Sequence, residues 1–286
     1  MSHCQAALLS DRGVVRVAGA DARKLLQGVI TNDIEKAGGG AAIHAGMLTP
    51  QGKILFDFFV VADGQGFLLD VAKDQTAGLM QRLGFYRLRA QVEIAEEPSF
   101  KVAAAWGGDP RLPAGAIAYA DPRLPELGVR VLPRADQDTA DLGCAEATEA
   151  DYHAMRIGLA VPEGGRDYAF GDAFPHEALF DQLHGVDFHK GCFVGQEVVA
   201  RMEHRGTARK RILPVTGDAP LKTGAEIEAG EMPIGTIGSV DGAFGLALLR
   251  LDRIKQASAP LTADGVAITL RRPAFARFDV PVALTA

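Results

Sequence analysis

Residues 189–211 read HKGCFVGQEVVARMEHRGTARKR and put a cysteine beside six cations and only two acids. The thiolate of a cysteine is both a nucleophile and a metal ligand, so the setting of Cys192 decides its chemistry. Val194, Val198, Val199 and Met202 recur at helical spacing and predict a helix over 195–205. Gly206 is placed to end it, and Arg201 and Arg205 fall where the helix dipole favours cations. Cys192 precedes that helix by about one turn. Free backbone N–H groups there and Lys190 would favour a thiolate, while Glu197 works the other way. Three readings stay open: a small buried hydrophobe at a tight turn, a reactive thiolate, and a metal ligand. His176, His184, His189 and His204 lie near in sequence, but none has a recognised zinc spacing, so no metal is expected.

The rest of the chain sets limits on this chemistry. It has 286 residues, a formal net charge of -6, 23% charged residues and 48% hydrophobic ones. Such a chain can bury an ordinary core in about two domains. Its acidity argues against bulk nucleic-acid binding, which needs basic surface. Cys4, Cys144 and Cys192 are far apart with no CxxC spacing, so no disulfide framework is expected and a reducing compartment is inferred. Three cysteines cannot supply four thiolates to an iron–sulfur cluster. The start, MSHCQAALLSDRG, lacks a secretory pattern. No apolar run approaches the roughly 18 residues of a membrane span. The expected location is the cytoplasm, with no nucleic-acid and no membrane partner.

The elements that would carry these residues follow from periodicity and turn signals. Strands are expected near 14–18, 42–48, 54–62, 67–72, 92–96, 101–105, 115–119 and 128–132. Pro50-Gln51-Gly52 and Asp63-Gly64-Gln65-Gly66 join three of them into an antiparallel meander. Helices are expected after Asp21, which can cap the first, and over 73–84, 149–157 and 177–184. Beyond 208 short strands alternate with Gly, Pro and Asp turns, the texture of a small barrel or sandwich. The expected domains are therefore 1–207 and 208–286. No phosphate-binding glycine loop is present: Gly38–Gly40 do not make one.

Lys190-Gly191-Cys192-Phe193-Val194-Gly195-Gln196-Glu197 resembles the KGC[FY]xGQE signature of the YgfZ group. That group is folate-binding, related to the glycine-cleavage T-protein (an aminomethyltransferase), and implicated in iron–sulfur enzyme maturation. The resemblance extends along the chain. Leu25-Leu26-Gln27-Gly28 through Thr31-Asn32-Asp33 resembles LLQGxxTND, and Leu48-Thr49-Pro50-Gln51-Gly52-Lys53 resembles a strand–turn–strand segment. Asp121-Pro122-Arg123 with Leu127-Gly128 resembles DPRxxxLG. Arg156, Gly158, Pro162 and Glu163, then Phe174-Pro175 and Glu177, resemble a further segment. The resemblance implies an α+β, T-protein-like ring of two mixed α/β subdomains plus a small C-terminal β-barrel. It also implies a hole admitting tetrahydrofolate, with iron–sulfur enzymes or cluster-assembly proteins as partners.

Within that resemblance Cys192 and Lys190 would be the reactive pair, with Gln196 and Glu197 beside them. Asn32 and Asp33 either shape a turn or meet a pterin edge. Glu126 either accepts the pterin's paired N–H groups, as a carboxylate can, or is an exposed loop residue. Tyr86 and Arg87 either clamp a flat ring or pack a helix end. Arg156 pairs with Glu149 or Asp151, or meets the folate. Arg201 is a solvated cation or meets folate carboxylates or an acidic partner. T-protein chains carry adjacent acids where this strand reads Ile54-Leu55-Phe56-Asp57-Phe58. One carboxylate, Asp57, is left, and the period of two decides which face it takes. The leading expectation is a tetrahydrofolate-binding protein that supports iron–sulfur enzymes through Cys192. A folate-dependent aminomethyl transferase and a non-catalytic scaffold are the alternatives.

Overall fold

The computed structural model describes residues 4–64, 66–206 and 208–281. Residues 1–3 of the N-terminal stretch, Gln65 of the 63–66 connection and Thr207 beside the expected boundary lie outside them. The chain forms two compact units: Met1–Tyr152 with Leu183–Gln196, and His153–Gln182 with Glu197–Ala286.

The first unit contains β1 (Gln5–Leu8), β2 (Arg12–Ala18), α1 (Ala22–Val29), β3 (Ala42–Leu48), β4 (Ile54–Asp63), β5 (Gly66–Ala72), α2 (Thr76–Arg87), β6 (Glu93–Glu96), β7 (Ala103–Trp106), β8 (Ile117–Ala120), β9 (Val129–Leu132) and β10 (Ala145–Glu146). They make two five-stranded sheets, ordered β3-β4-β5-β2-β6 and β10-β1-β7-β9-β8. The expected meander β3-β4-β5 is antiparallel. Alternation along each strand of the first sheet sends Val15, Val17, Ala45, Phe56, Phe58, Val60, Leu69 and Val71 to one face, where they pack on Leu25, Leu26 and Val29 of α1 and Leu79 and Leu83 of α2. This is the separation that a period of two produces.

The other face carries charge. Phe59 pairs with Asp70 across β4–β5. The guanidinium carbons of Arg12, Arg123 and Arg130 lie 5.7, 4.8 and 4.4 Å from the centre of the Phe59 ring. Asp70 binds Arg12 at 2.7 Å and Arg130 at 3.0 Å, and accepts the Tyr119 hydroxyl at 3.1 Å. Asp121 holds Arg123 at 2.8 Å. Arg130 and Tyr119 belong to the second sheet, so this buried ion cluster ties the two sheets together. Buried charges persist only when paired and hydrogen-bonded, which these are.

Several expectations are corrected here. Cys4 and Cys144 form a disulfide with Cα atoms 4.8 Å apart. The absence of a disulfide, and the reducing compartment inferred from it, therefore do not stand. A separation of 140 residues hides the pair in sequence. The parallel pairing of β1 with β10, Gln5 opposite Ala145, brings it together. Residues 177–184 are a chain of turns rather than a helix. Leu179 and His184 take positive φ there, at 63° and 57°, which a right-handed helix cannot hold. Asp21 makes no side-chain cap on α1. Its carboxylate accepts the Gln91 amide at 2.8 Å instead. The second helix begins at Thr76 after a 3-10 turn and runs on to Arg87.

The second unit holds most of α3 (Glu149–Gly158), expected over 149–157, most of α4 (Gln196–Arg205) and a closed barrel of β11 (Lys210–Gly217), β12 (Glu226–Ala229), β13 (Met232–Asp241), β14 (Phe244–Arg250), β15 (Leu261–Ala263) and β16 (Val266–Leu270). The expected barrel-or-sandwich resolves to a barrel because β15, too short to read in the sequence, closes the circle between β12 and β16. Inside lie Leu213, Val215, Ile227, Ile234, Ile237, Ala247, Leu249 and Ile268. Arg156 is buried in this unit. It binds Asp167 at 2.7 Å, Glu163 at 3.1 Å, the Val161 carbonyl at 3.1 Å and the Ser239 hydroxyl at 2.6 Å. A Cβ at Gly238 would sit 2.7 Å from Asp167, so that glycine lets the 163–167 loop reach the barrel wall.

Two outcomes follow. Asp70→Ala strands two buried guanidiniums and should lower the unfolding free energy by about 3–5 kcal/mol, read by urea denaturation. Without reductant, iodoacetamide should label Cys192 alone; prior reduction should add Cys4 and Cys144. Labelling of all three in the unreduced protein would refute the disulfide.

Candidate functional site

The segment 184–196 crosses the outside of the first unit and is fastened to the corner between α1 and β3. The Thr31 hydroxyl donates to the Gly185 carbonyl at 2.6 Å, and the Asn32 amide donates to His184 O at 2.7 Å and His44 O at 2.8 Å. The Asp187 amide returns to Thr31 O at 3.0 Å. The Asp187 carboxylate accepts the amides of His189 and Lys190, at 2.7 and 3.1 Å, and binds Lys36 at 2.7 Å. Burial works to raise that carboxyl, but Lys36 and the two amides outweigh it and leave it below the usual carboxylate range.

Lys190 is the central fastener. A helix ends with carbonyls that have no internal partner. The Lys190 ammonium donates to three carbonyls at and just past the end of α1: Gln27 at 2.8 Å, Ile30 at 2.7 Å and Asn32 at 2.9 Å. It also sits 5.2 Å from the Phe193 ring, which is buried. Burial pulls its pKa down to about 8, with Asp33 and Asp187 resisting. On the far side, Gly195 has φ 82°, and a Cβ there would meet the Thr49 carbonyl at 2.5 Å. Lys190 and Phe193 thus point inward while the thiol between them is exposed. The buried-hydrophobe reading of Cys192 is not the arrangement found.

The α4 helix starts at Gln196, one residue after the expected start, and Gly206 ends it with φ 57°. Glu197 and Arg201 pair on its exposed surface at 2.6 Å.

The remaining candidates divide into engaged and accessible groups. Asn32 uses both amide hydrogens on backbone carbonyls, and its oxygen accepts the Asp33 amide at 2.8 Å. Asp33 caps a 3-10 turn and accepts from Gln27 at 3.0 Å. Asp57 lies on the Phe59 face of β4, buried, with its carboxylate 3.9 Å from His44. Burial lowers the His44 pKa, and Arg123 adds to this against the pull of Asp57. Arg156 is spent on Glu163 and Asp167, not on Glu149 or Asp151. Tyr86 is half-buried, lining a hollow of about 400 Å3 with Val194. Glu126 and Arg87 are exposed. For a reduced folate, the fit is therefore partial: Glu126, Tyr86 and Arg87 have surface to offer, whereas Asn32 and Asp33 are already satisfied.

Sequence reasoning missed Asp187 and Lys36. An Asp whose carboxylate can take the amides two and three residues on is a legible turn signal. Nothing local marks Lys36.

The sheets and barrel define a class. The glycine cleavage system aminomethyltransferase T of Bartonella henselae superposes with TM-score 0.77 at 13% identity, covering 96% of this chain and 87% of that one, so the fold is T-protein-like. Residues 209–278 match the family described as CAF17, C-terminal beta-barrel domain. The human mitochondrial iron–sulfur cluster assembly factor IBA57 is 33% identical over 92% of this chain and 82% of its own length. The IBA57 homolog of Neurospora crassa is 35% identical over 72% of this chain. The match spans about half, 52%, of that fungal relative. The chain belongs to the IBA57 family of iron–sulfur cluster assembly factors. The cytoplasmic expectation is overturned by the same comparison, because these relatives are named as mitochondrial proteins. Lack of a secretory pattern does not place a protein in the cytoplasm.

Replacing Lys190 by Met leaves three carbonyls without their charged donor and should cost about 2–4 kcal/mol. Gly195→Ala should also destabilise, through the clash with Thr49. An unfolded chain, with Lys190 at its ordinary 10.5, binds a proton the folded chain lacks between pH of about 8 and 10.5. The residue's contribution therefore grows as pH rises through that window. Urea midpoints of wild type and Lys190→Met at pH 8 and 10 should diverge in the wild type's favour; convergence refutes the assignment.

Proposed function

We propose that this chain is an iron–sulfur cluster assembly factor of the YgfZ-like kind, that its reactive group is the Cys192 thiol, and that tetrahydrofolate is its small-molecule partner. The carrying observation is an exposed thiol on a loop pinned on both sides, at Lys190 and at Gly195. Pinning presents the sulfur at a fixed place, which a ligand or nucleophile needs. Cys4 and Cys144 are used in the disulfide, so Cys192 is the thiol left for chemistry. Fe–S clusters are held mainly by several Cys thiolates. A cluster handled here would take its other ligands from a partner, either an assembly protein or a recipient enzyme.

The folate part of the reading is supported by the T-protein-like fold and by the accessible groups. Glu126 would accept the paired N–H groups of the pterin edge, as a carboxylate can. When bound, the folate would supply a one-carbon carrier. Aminomethyl transfer is the weaker reading: the single carboxylate Asp57 lies buried beside His44 rather than paired with a second acid.

Two measurements test this. Cys192→Ala should keep the wild-type urea midpoint and folate titration yet fail to restore iron–sulfur enzyme activity in a deletion strain; full complementation removes the thiol role. Calorimetric titration with tetrahydrofolate should show binding that Glu126→Gln weakens about tenfold, and no heat with the wild type would remove the folate.

A further inference from the structure

Helix α2 ends in a way its packing does not explain. Among the described residues five large apolar side chains stand in solvent, and two of them are neighbours here: Phe85, 65% exposed, and Leu88, 87% exposed. Leu88 also takes φ 44°, a backbone conformation unfavourable for a branched side chain. Charge accumulates at the same place. Residues 75–92 contain Arg82, Arg87 and Arg89 and no acid, in a chain of net charge -6. Arg87 and Arg89 are exposed, and Arg82 lies 5.5 Å from the Tyr86 ring.

Two hollows flank this end. One, of about 400 Å3, has Leu25, Val29, Tyr86, Ala90 and Val194 in its wall with Lys24 and Asp21 at its edge, the Asp21 carboxylate being engaged by the Gln91 amide. The other, of about 440 Å3, takes Phe85, Arg82, Leu55, Phe56 and Pro50. Both adjoin the cysteine segment. Val194 lines the first, and Gly195 rests on Thr49, which lines the second.

We propose that the C-terminal end of α2, with its two hollows, is the docking surface for an acidic partner protein that inserts an apolar side chain. The occupant follows from charge and shape. Exposed arginines around apolar anchors suit an acidic surface with an apolar tip. A second copy of this chain in a two-fold pair would bring the same arginines face to face, which repels. A folate tail carries carboxylates but nothing to cover Phe85 and Leu88. The inference rests on the assembly reading above: the partner is the protein that exchanges the cluster, and docking here brings it beside Cys192.

The test uses Leu88→Gly with Arg89→Glu in the full chain. Leu88 has φ 44° and ψ -107°, a conformation glycine adopts without a Cβ penalty, so the fold should hold. The urea midpoint, tetrahydrofolate titration and Cys192 alkylation rate should match wild type, while iron–sulfur enzyme activity in the deletion strain should fall at least fivefold. A benzoylphenylalanine at position 85 should crosslink in cells to a cluster-carrying or cluster-assembly protein of acidic net charge. That protein, purified, should bind wild type in a salt-dependent way and the double variant at least tenfold more weakly. Full complementation by the double variant overturns the proposal. So does a crosslink only to a second copy, wild-type binding to phosphatidylserine–phosphatidylcholine vesicles that the double variant loses, or no crosslink to such a protein. If Cys192→Ala complements, the thiol reading falls whatever the surface variant does; if only the double variant complements, the docking surface falls alone.

Discussion

A single ammonium group holds the candidate site in place. Lys190 reaches across 158 to 163 residues of sequence to the carbonyls of Gln27, Ile30 and Asn32. Gln27 and Ile30 are at the open end of α1 and Asn32 lies just past it, and an unpartnered carbonyl in a buried corner is costly. The lysine satisfies them, and they in turn solvate a buried charge. Removal of either side leaves the other exposed to the full desolvation penalty. Phe193 follows inward, and Gly191 and Cys192 are left outside. The placement of the thiol is thus a consequence of where the lysine must go.

This arrangement gives Lys190 a role different from direct activation of the thiol. Its charge is engaged by three carbonyls and an aromatic face. It acts as a positioning residue, and the fixed loop is what it provides. The same logic repeats twice in the molecule. Around Phe59, three guanidiniums and the carboxylates of Asp70 and Asp121 join two sheets. In the second unit, Arg156 joins the 163–167 loop to Ser239 of the barrel. Each is a buried charge with at least one partner far away in sequence. Each therefore specifies which segments meet, beyond whatever it adds to stability.

Much of the framework was legible because it depends on local period. The strands of the meander, α1, α4 and the β-rich tail follow from alternation, helical spacing and turn residues. Gly206 ended α4 where a left-handed residue was expected. The failures have equally local causes. Residues 177–184 carry an apolar pattern, but two left-handed residues, Leu179 and His184, bend it into turns. The Asp21 carboxylate was a plausible cap, yet the Gln91 amide on a neighbouring loop offered it a better partner. Leu79, Met80, Leu83 and Tyr86 form the inward stripe of α2 at helical spacing, and Phe85 falls off that stripe just beyond the expected end at residue 84.

The sequence by itself determined most of the strands and helices, that the residues beyond 208 are β-rich, and that a KGCFVGQE segment opens a helix. These are properties of a few consecutive residues. Only the tertiary structure decided that Cys4 meets Cys144, that Asp57 turns toward His44, that Lys190 spends its charge on α1, and that Phe85 and Leu88 stay uncovered. The reason is that each depends on sheet register or on contacts between distant segments. A shift of one residue in register would move Asp57 to the opposite face without changing a letter of its strand.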